Sequence, residues 1–424
     1  MRYIFGAICA CTIFLVPWFM LHPETARIVF QPVQAVGDEL ASVIFSHDPV
    51  TVADLQSDYN SGSLFQAPRK VRILLVPGHE PNYGGAEYGS LKERDMTVQL
   101  ADDLQAFLSD NPHYQVFVTR DTQSWNPIFA DYFQNNWNAI KSWEEAQKNE
   151  IQNLTLLGEF HPTGSQVQHI DVPDDVALRI YGIDKWVDEN DIDIAIHIHF
   201  NDYPGHSSVQ PGKYSGFAIY VPEGQYANSQ TTKVLADAIE KRLERYNAVS
   251  NFPGEIGGIV PDQDLIAVGA YNSVNAPSML IEYSYIYEPQ FTNPNLESTA
   301  IKDLAYQTYL GLQDFFDSPD ASSTDSFGTL TLPHAWTSPT SSSATMASSS
   351  AIYALQSALI ADGDYPPAGK SLNTCPRSGK FGPCTEAALQ AFQAKYGISG
   401  EKGVVGSKTL DRLNKLYGQV IKVI

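Results

Sequence analysis

From Arg69 to about Asp317 the chain alternates between two spacings of apolar residues, one typical of strands and one typical of helices. The apolar run Arg72–Val76 predicts a buried strand, and apolar residues at every fourth position within Leu91–Ser109 predict a helix. The same patterns predict strands at Gln115–Thr119, Asp193–His199, Phe217–Val221 and Met279–Tyr283, and helices at Val234–Leu243 and Leu296–Phe316. This alternation predicts an α/β fold with a twisted, largely parallel sheet flanked by helices on both faces.

The alternation is interrupted between Arg120 and about Pro173 by an aromatic-rich and polar stretch. A connection of this length without elements of its own is uncommon in a compact domain. We therefore predict an insertion over about residues 121–173, with a helix from Asn135 to Leu157. The sequence leaves open whether this insertion is a lid, a docking surface for a partner or an element of specificity.

The last quarter of the chain has a different composition. Residues 318–350 are rich in Ser, Thr, Ala and Pro, which predicts a flexible linker. Residues 351–417 predict a small all-α domain of three helices, Ile352–Ile360, Glu386–Tyr396 and Leu410–Leu416. Two similar segments of turn glycines followed by a threonine precede the second and third helices. We expect these threonines, Thr385 and Thr409, to cap the N-termini of those helices.

The sequence of the N-terminus predicts a targeting segment, either a membrane anchor or a signal peptide. Residues 1–22 contain an apolar run, Ile4–Leu21, behind Arg2, and this run is long for a signal peptide and just long enough to span a bilayer. No convincing cleavage site follows, so an uncleaved anchor is favoured over a cleaved signal. Whether it is an anchor or a cleaved signal, we expect the rest of the chain to be exported to the cell envelope or outside the cell. Residues 23–68 carry no clear motif and are interpreted as a juxtamembrane spacer.

Charge and cysteine content narrow the chemistry further. With 27 Lys and Arg against 48 Asp and Glu, the formal net charge is −21. Such a chain repels the phosphates of nucleic acids and offers no basic patch to an anionic membrane, so membrane contact is expected through the N-terminal segment only. Cys375 and Cys384 are too few for a zinc site and lie in an exported region, so we predict a disulfide between them.

Two histidines stand at the ends of predicted strands. His79 follows the first strand in a Pro-Gly turn, where open α/β sheets place their ligand sites. His199 ends the strand Asp193–His199, in which isoleucines at even positions leave His197 and His199 on the opposite face. Each histidine also has a less specific interpretation, because turn histidines are usually solvated and one of the strand pair could be structural.

Two carboxylates complete the candidate site. Glu93 begins the helix after the His79 turn, where complementation of the helix dipole alone would explain it. Glu282 lies in an apolar strand, where a carboxylate is costly unless it is coordinated or forms a salt bridge. Two neutral histidines and a carboxylate are a usual ligand set of catalytic zinc, and a further carboxylate can accept a proton from water. We therefore predict one Zn2+ bound by His79, Glu93 and His199, with Glu282 as general base.

The same residues carry a resemblance to a known family. The motifs in order are Val76-Pro77-Gly78-His79, Lys92-Glu93, Val118-Thr119-Arg120, His197-Ile198-His199-Phe200-Asn201 and Pro277-Ser278-Met279-Leu280-Ile281-Glu282. From about Val71 to Phe316 the chain resembles the zinc-dependent N-acetylmuramoyl-L-alanine amidases of bacterial cell walls. The resemblance implies the same zinc ligands and a catalytic Glu282. The chain departs from the family pattern at three positions, with Val76 in place of Asp, Glu80 in place of Gly and His197 in place of Ser.

The C-terminal segment resembles the three-helix peptidoglycan-binding domains. The matching residues are Ala354-Leu355-Gln356, Phe381-Gly382, Thr385, Ala391-Phe392-Gln393, Tyr396-Gly397, Gly406 and Thr409. Together the two resemblances imply an enzyme that hydrolyses the amide between N-acetylmuramic acid and L-alanine in peptidoglycan while its last domain binds the wall. Two alternatives stay open: a zinc carboxypeptidase or endopeptidase acting on stem peptides, and a non-catalytic wall-binding scaffold.

Overall fold

The computed structural model describes residues 49–61, 69–169, 172–203, 207–317 and 349–418. We call residues 49–317 the larger unit and residues 349–418 the C-terminal unit. The predicted N-terminal segment 1–22, most of the spacer 23–68 and nearly all of the linker 318–350 lie outside the described ranges. Within those ranges, none of the helices is both long and apolar enough to cross a membrane.

A mixed sheet lies at the centre of the larger unit. Among the described residues it has six strands, β1 (Val71–Pro77), β4 (Tyr114–Val118), β5 (Ile194–Asn201), β6 (Ala218–Pro222), β7 (Ile259–Asp262) and β8 (Ser278–Tyr285). Their order is β4-β1-β5-β8-β6-β7, and only the β6–β8 pair is antiparallel. Two short strands, β2 (Glu87–Tyr88) and β3 (Leu91–Lys92), pair separately. The largely parallel sheet is confirmed, whereas β7 was not predicted.

Helices cover both faces of the sheet, as predicted. They are α1 (Val52–Tyr59), α2 (Glu93–Ser109), α3 (Pro127–Leu157), α4 (Asp174–Glu189), α5 (Ser229–Tyr246) and α6 (Glu297–Phe316). The isoleucines of β5 pack with α1, α2, α5 and α6 in one core, while Leu74, Val76 and Ala195 pack with α3 and α4 in another. Leu55 of α1 is fully buried, so part of the predicted spacer belongs to the first core.

The predicted insertion is mostly helical. Helix α3 begins earlier than expected because Pro127 occupies its first position and the Asn126 side chain accepts a hydrogen bond from the backbone N–H of Ile128. Phe129 and Phe133 of its first turns are buried against the sheet, which explains the aromatic-rich sequence. Helix α4, which follows the insertion, was not predicted.

The C-terminal unit consists of α7 (Ser350–Asp362), α8 (Pro383–Lys395) and α9 (Ser407–Tyr417), in agreement with the three predicted helices. Cys375 and Cys384 form the predicted disulfide. The predicted threonine caps are wrong. The N-cap residues of α8 and α9 are glycines without a side-chain cap bond, and Thr385 and Thr409 lie inside the first turns of the helices.

These threonines instead belong to two glutamine-centred turns. The side-chain amide of Gln356 donates to Thr385 Oγ1 (2.9 Å) and its oxygen accepts from the Gly379 N–H (2.9 Å). Gln393 makes the equivalent bonds to Thr409 Oγ1 (2.9 Å) and from the Gly403 N–H (2.9 Å). The internal similarity of the sequence therefore reflects a repeated buried hydrogen-bond arrangement, and the threonine hydroxyls are turned inward toward the glutamines.

Candidate active site

The four predicted site residues meet at one edge of the sheet. His79 follows β1, His199 lies near the end of β5, and Glu282 pairs with His199 in the parallel register of β5 and β8. Glu93 is the first residue of α2. The carboxyl ends of neighbouring parallel strands form the usual ligand-binding edge of such sheets, which is why residues so distant in sequence converge here.

His79, Glu93 and His199 form a compact cluster. One ligand atom from each of the three lies within 4.8 Å of the others. Glu93 Oε1 is 2.8 Å from His79 Nε2 and 3.0 Å from His199 Nδ1. The enclosed Nε2 of His79 has no hydrogen-bond partner among the described residues, so its contact with Glu93 lacks hydrogen-bond geometry. Two imidazole nitrogens and a carboxylate oxygen thus lie close enough to share one ion.

The backbone around His79 is shaped to allow this cluster. His79 adopts a positive φ of 70°, which is uncommon for a residue other than glycine. A side chain at Gly78 would place its Cβ 2.4 Å from Cε1 of His199, so only glycine permits the close approach of that ring. At Gly85, where φ is +82°, an added Cβ would lie 2.8 Å from Cδ2 of His79.

Arg120 positions the His79 turn, a role that sequence reasoning missed. It is 2% exposed, and its guanidinium donates to the carbonyl oxygens of Pro77 (3.2 Å), Gly78 and Arg94 (3.0 Å). The turn after β1 and the first turn of α2 are therefore held by one side chain. Its position in the Val-Thr-Arg motif at the end of β4 was the available signal, but a charge at a strand end does not reveal which carbonyls it binds.

Electrostatics keep Glu93 ionised. Its Oε2 accepts from the Ala86 N–H (2.8 Å) and its Oε1 from the Phe200 N–H (3.1 Å). Burial alone would raise the pKa of Glu93, but the charges of His79 and His199, together with the hydrogen bond from His199, outweigh it and hold that pKa well below its usual range. The carboxylate is therefore the charged form that a metal ligand must have.

The two histidines of β5 are held in the neutral form. Burial lowers the pKa of His199 despite its hydrogen bond to Glu93. Burial, together with the charge of His199, lowers the pKa of His197 to about 3. His197 is 3% exposed, and its Nε2 has no hydrogen-bond partner within the described ranges. His197 thus offers a neutral imidazole beside the cluster, although it is not part of it.

Glu282 has the environment of a proton acceptor. Its side chain is partly exposed, yet its Oε2 is enclosed and has no hydrogen-bond partner in the described part of the chain. Desolvation, and then the negative charges of Glu93, Glu255 and Asp202, raise the pKa of Glu282 well above its usual range. The predicted salt-bridge alternative fails for the described residues, since none of their Lys or Arg side chains pairs with Glu282.

A cavity of about 570 Å³ adjoins the cluster. Its walls include His197 and His199 together with insertion residues such as Val167, and it extends to Arg179 of α4. Glu80, next to His79, accepts two hydrogen bonds from other segments. Its Oε1 accepts one from Nε of Arg179 (2.7 Å), and its Oε2 accepts one from the indole N–H of Trp125 (3.2 Å). Glu80, which replaces the glycine of the family pattern, therefore connects the His79 turn to the insertion and to α4.

Comparisons with known proteins identify the families that this chain matches. Residues 73–314, more than half of the chain, match the N-acetylmuramoyl-L-alanine amidase family. The chain belongs to this family. Residues 348–413 match a peptidoglycan binding domain. The protein is thus a peptidoglycan amidase with a C-terminal wall-binding domain, and this combination indicates an extracellular or cell-envelope location.

Solved structures of amidases are similar to part of this chain. The amidase CwlD of Clostridioides difficile, in complex with the GerS lipoprotein, is 17% identical, with 58% of this chain and 99% of that chain covered and a TM-score of 0.39. An amidase of Mycobacterium smegmatis is 14% identical over 58% of this chain and 97% of that chain, with a TM-score of 0.39. One from Nostoc punctiforme is 14% identical over 58% and 98%, with a TM-score of 0.36. A search of curated proteins found no match.

Proposed function

We propose that His79, Glu93 and His199 bind one Zn2+ and that Glu282 is the general base for cleavage of the amide between N-acetylmuramic acid and L-alanine. The observation that carries this proposal is the approach of three ligand atoms within 4.8 Å of one another, with Glu282 paired to His199 on the adjoining strand. The family match supports the choice of substrate, and the cluster of three ligand atoms supports metal-dependent hydrolysis.

The residues fit a divalent cation. Glu93 and Glu282 are two carboxylates whose mutual repulsion contributes to the raised pKa of Glu282, and Oε1 of Glu93 is in contact with the imidazoles of His79 and His199. A cation held by Glu93 would offset that repulsion. Two imidazole nitrogens and one carboxylate oxygen match the ligand set of catalytic zinc, which leaves room for a water molecule and substrate. The His79 Nε2 without a partner among the described residues is then explained as a ligand atom.

Each residue has a defined task in hydrolysis. Zinc, when bound, supplies Lewis acidity that polarises a carbonyl group and acidifies water. Glu282 removes the proton from the attacking water and then transfers it to the departing amine of L-alanine. The raised pKa of Glu282 makes its carboxylate a stronger base than that of an ordinary glutamate, which favours acceptance of a proton from water. The unpartnered Oε2, in the described part of the chain, is the atom that we assign to this transfer.

We also propose how the parts of the chain are used. Residues 69–317 would be the catalytic domain and residues 351–417 the wall-binding domain, joined by the linker 318–350; the two family matches, 73–314 and 348–413, support this division. Residues 1–22 would hold the enzyme at the membrane, which the apolar run Ile4–Leu21 supports.

Metal content tests the ligand set. We expect purified protein to contain about one zinc per chain, His199→Ala to lose it, and the matched control His197→Ala, on the same strand face, to retain it. Elemental analysis after dialysis measures all three. If His197→Ala loses the metal and His199→Ala keeps it, the ligand assignment on β5 is wrong.

The cleaved bond is tested on purified sacculi. Mass spectrometry of the digest should find intact stem peptides with a free L-alanine amine and uncut glycan strands. Loss of terminal D-alanine alone would instead identify a stem-peptide carboxypeptidase. Binding to sacculi without any cleavage by zinc-loaded protein would identify a scaffold.

A further inference from the structure

The two units meet through a buried ion pair. Arg377 of the C-terminal unit pairs with Asp303 of α6, and the two side chains are only 2% and 1% exposed. The guanidinium of Arg377 also donates to Oδ1 of Asn247, which follows α5 (3.1 Å). A buried arginine is costly unless it is paired and hydrogen-bonded, so this contact specifies one relative position of the units.

Aromatic side chains interlock around this ion pair. The guanidinium carbon of Arg377 lies 4.3 Å from the ring centre of Tyr353 and 5.1 Å from that of Tyr246. Tyr246, at the end of α5, packs in the core of the C-terminal unit, while Tyr353 of α7 packs in the first core of the larger unit. Each unit thus contributes a tyrosine to the core of the other.

The arginine is presented by a constrained loop. Arg377 lies between Cys375 and Cys384, which are joined by the disulfide. Within the same loop, the Gly379 N–H is bound by Gln356 Oε1 of α7 (2.9 Å). A Cβ added at Gly379 would lie 2.5 Å from Cδ2 of Leu296, immediately before α6, so the loop backbone is in close contact with the larger unit. The inner side of the loop is thus fixed by the C-terminal unit, and its outer side packs on the larger unit.

We propose that the disulfide-closed loop Cys375–Cys384 is a docking element, which holds the wall-binding unit on the α5–α6 face of the larger unit through Arg377. The bound wall polymer then lies at a fixed position relative to the site edge of the sheet, so wall binding orients the enzyme as well as retaining it. A tether alone would raise only the effective concentration. The docking itself does not depend on the metal ligands or on Glu282.

Hydrogen exchange of the full chain tests the docking. Arg377→Ala should raise exchange at least tenfold on both sides of the contact, in residues 243–248 and 300–307 as well as in residues 375–381. Asp303→Asn should produce the same pattern from the other side, and replacing both Cys375 and Cys384 by Ser should produce a weaker form. The matched control is Arg412→Ala, because Arg412 stacks on Tyr396 (4.6 Å) within the C-terminal unit.

Exchange in α9 distinguishes undocking from unfolding. Exchange in α9 should stay at the wild-type level in Arg377→Ala. If it rises throughout α9, this variant has destabilised the C-terminal unit itself, and the docking is then tested with Asp303→Asn, which leaves the C-terminal unit unaltered. Exchange in residues 243–248 and 300–307 that matches the Arg412→Ala control in both docking variants would overturn the proposal.

Activity gives a second readout. With equal amounts bound to sacculi, Arg377→Ala should cleave several-fold more slowly than wild type, while both cleave a soluble muropeptide at the same rate. Equal rates on sacculi would overturn the orienting role. A protein inactive on both substrates, with exchange changed as expected, would contradict the proposed chemistry and leave the docking supported.

Discussion

Glu282 and Glu255 are neighbouring carboxylates at the same end of the sheet, and they differ in how the protein satisfies them. Glu255 is 2% exposed; its Oε1 accepts from Tyr220 (2.8 Å) and Asn201 (2.8 Å), and its Oε2 accepts from Ser250 and from Tyr285 (3.3 Å). Glu282 Oε2, by contrast, has no such partner in the described part of the chain. A carboxylate saturated with donors stabilises the fold, whereas one left unsatisfied keeps its desolvation cost and is available for chemistry.

The largest expected effect separates the two residues by activity. Glu282→Gln removes the proton acceptor while preserving shape, so the turnover number should fall about 10²–10⁴-fold, the range for general acid–base catalysis. Zinc content should stay at the wild-type level because the ligands are intact. Steady-state kinetics on a soluble muropeptide, together with elemental analysis, measure both quantities. Activity within a few-fold of wild type would remove Glu282 from the mechanism.

The second-largest expected effect is a difference in stability between the glutamine variants of Glu255 and Glu282. In Glu255→Gln an amide NH2 replaces one acceptor oxygen and faces hydroxyl or amide donors, so the free energy of unfolding should fall by about 1–3 kcal/mol. Glu282→Gln should leave that free energy unchanged or raise it, since it removes a desolvated charge next to Glu93. Urea denaturation of the metal-free proteins measures both variants.

The contrast between Glu255 and Glu282 also predicts that their glutamine variants differ in turnover. Glu255 binds Asn201 at the end of β5 but does not reach the cluster, so Glu255→Gln should slow turnover by less than about tenfold. Equal losses of activity in the two glutamine variants would show that the hydrogen-bond saturation of a carboxylate does not predict its role here.

The sequence predicted Glu282 but not Glu255, and the reason is physical. Glu282 lies in the second half of a recognisable apolar strand, and the carboxyl ends of strands in a parallel sheet meet at one edge, so its neighbours could be inferred. Glu255 lies in an irregular segment before β7, and its partners come from four separate segments of the chain. Local spacing contains no information about such a set of contacts.

The same distinction explains the other successes and failures. The elements with a clear apolar period, such as α2 and β5, were predicted to within two residues at each end. The threonines of the C-terminal unit were misassigned because a Thr after glycine resembles an N-cap, whereas here its hydroxyl binds a distant glutamine. Arg377 was not singled out, because an arginine in a polar loop becomes a buried residue only through the second unit.

A third carboxylate provides the smallest and finest test of the comparison. Asp188 of α4 lies between the two extremes, since its Oδ1 accepts one backbone hydrogen bond, from Asn275 (2.9 Å). Burial outweighs that bond and raises the pKa of Asp188 to about 7. Because its pKa is higher in the folded protein than the value of about 3.9 in an unfolded chain, folding favours the protonated acid. Its contribution to stability is therefore complete below about pH 4 and is lost as the pH rises to about 7.

Asp188→Asn mimics the protonated acid and keeps an acceptor for the Asn275 N–H, so it should remove this pH dependence. Relative to wild type, the variant should gain roughly 1–2 kcal/mol of unfolding free energy between pH 5 and pH 7, which is less than the full shift implies because the side chain is partly exposed. Urea denaturation of both proteins across that range measures the difference, and titrations of all other groups cancel in it. A constant difference would mean that one backbone hydrogen bond already satisfies this carboxylate, and it would place Asp188 with Glu255 rather than with Glu282.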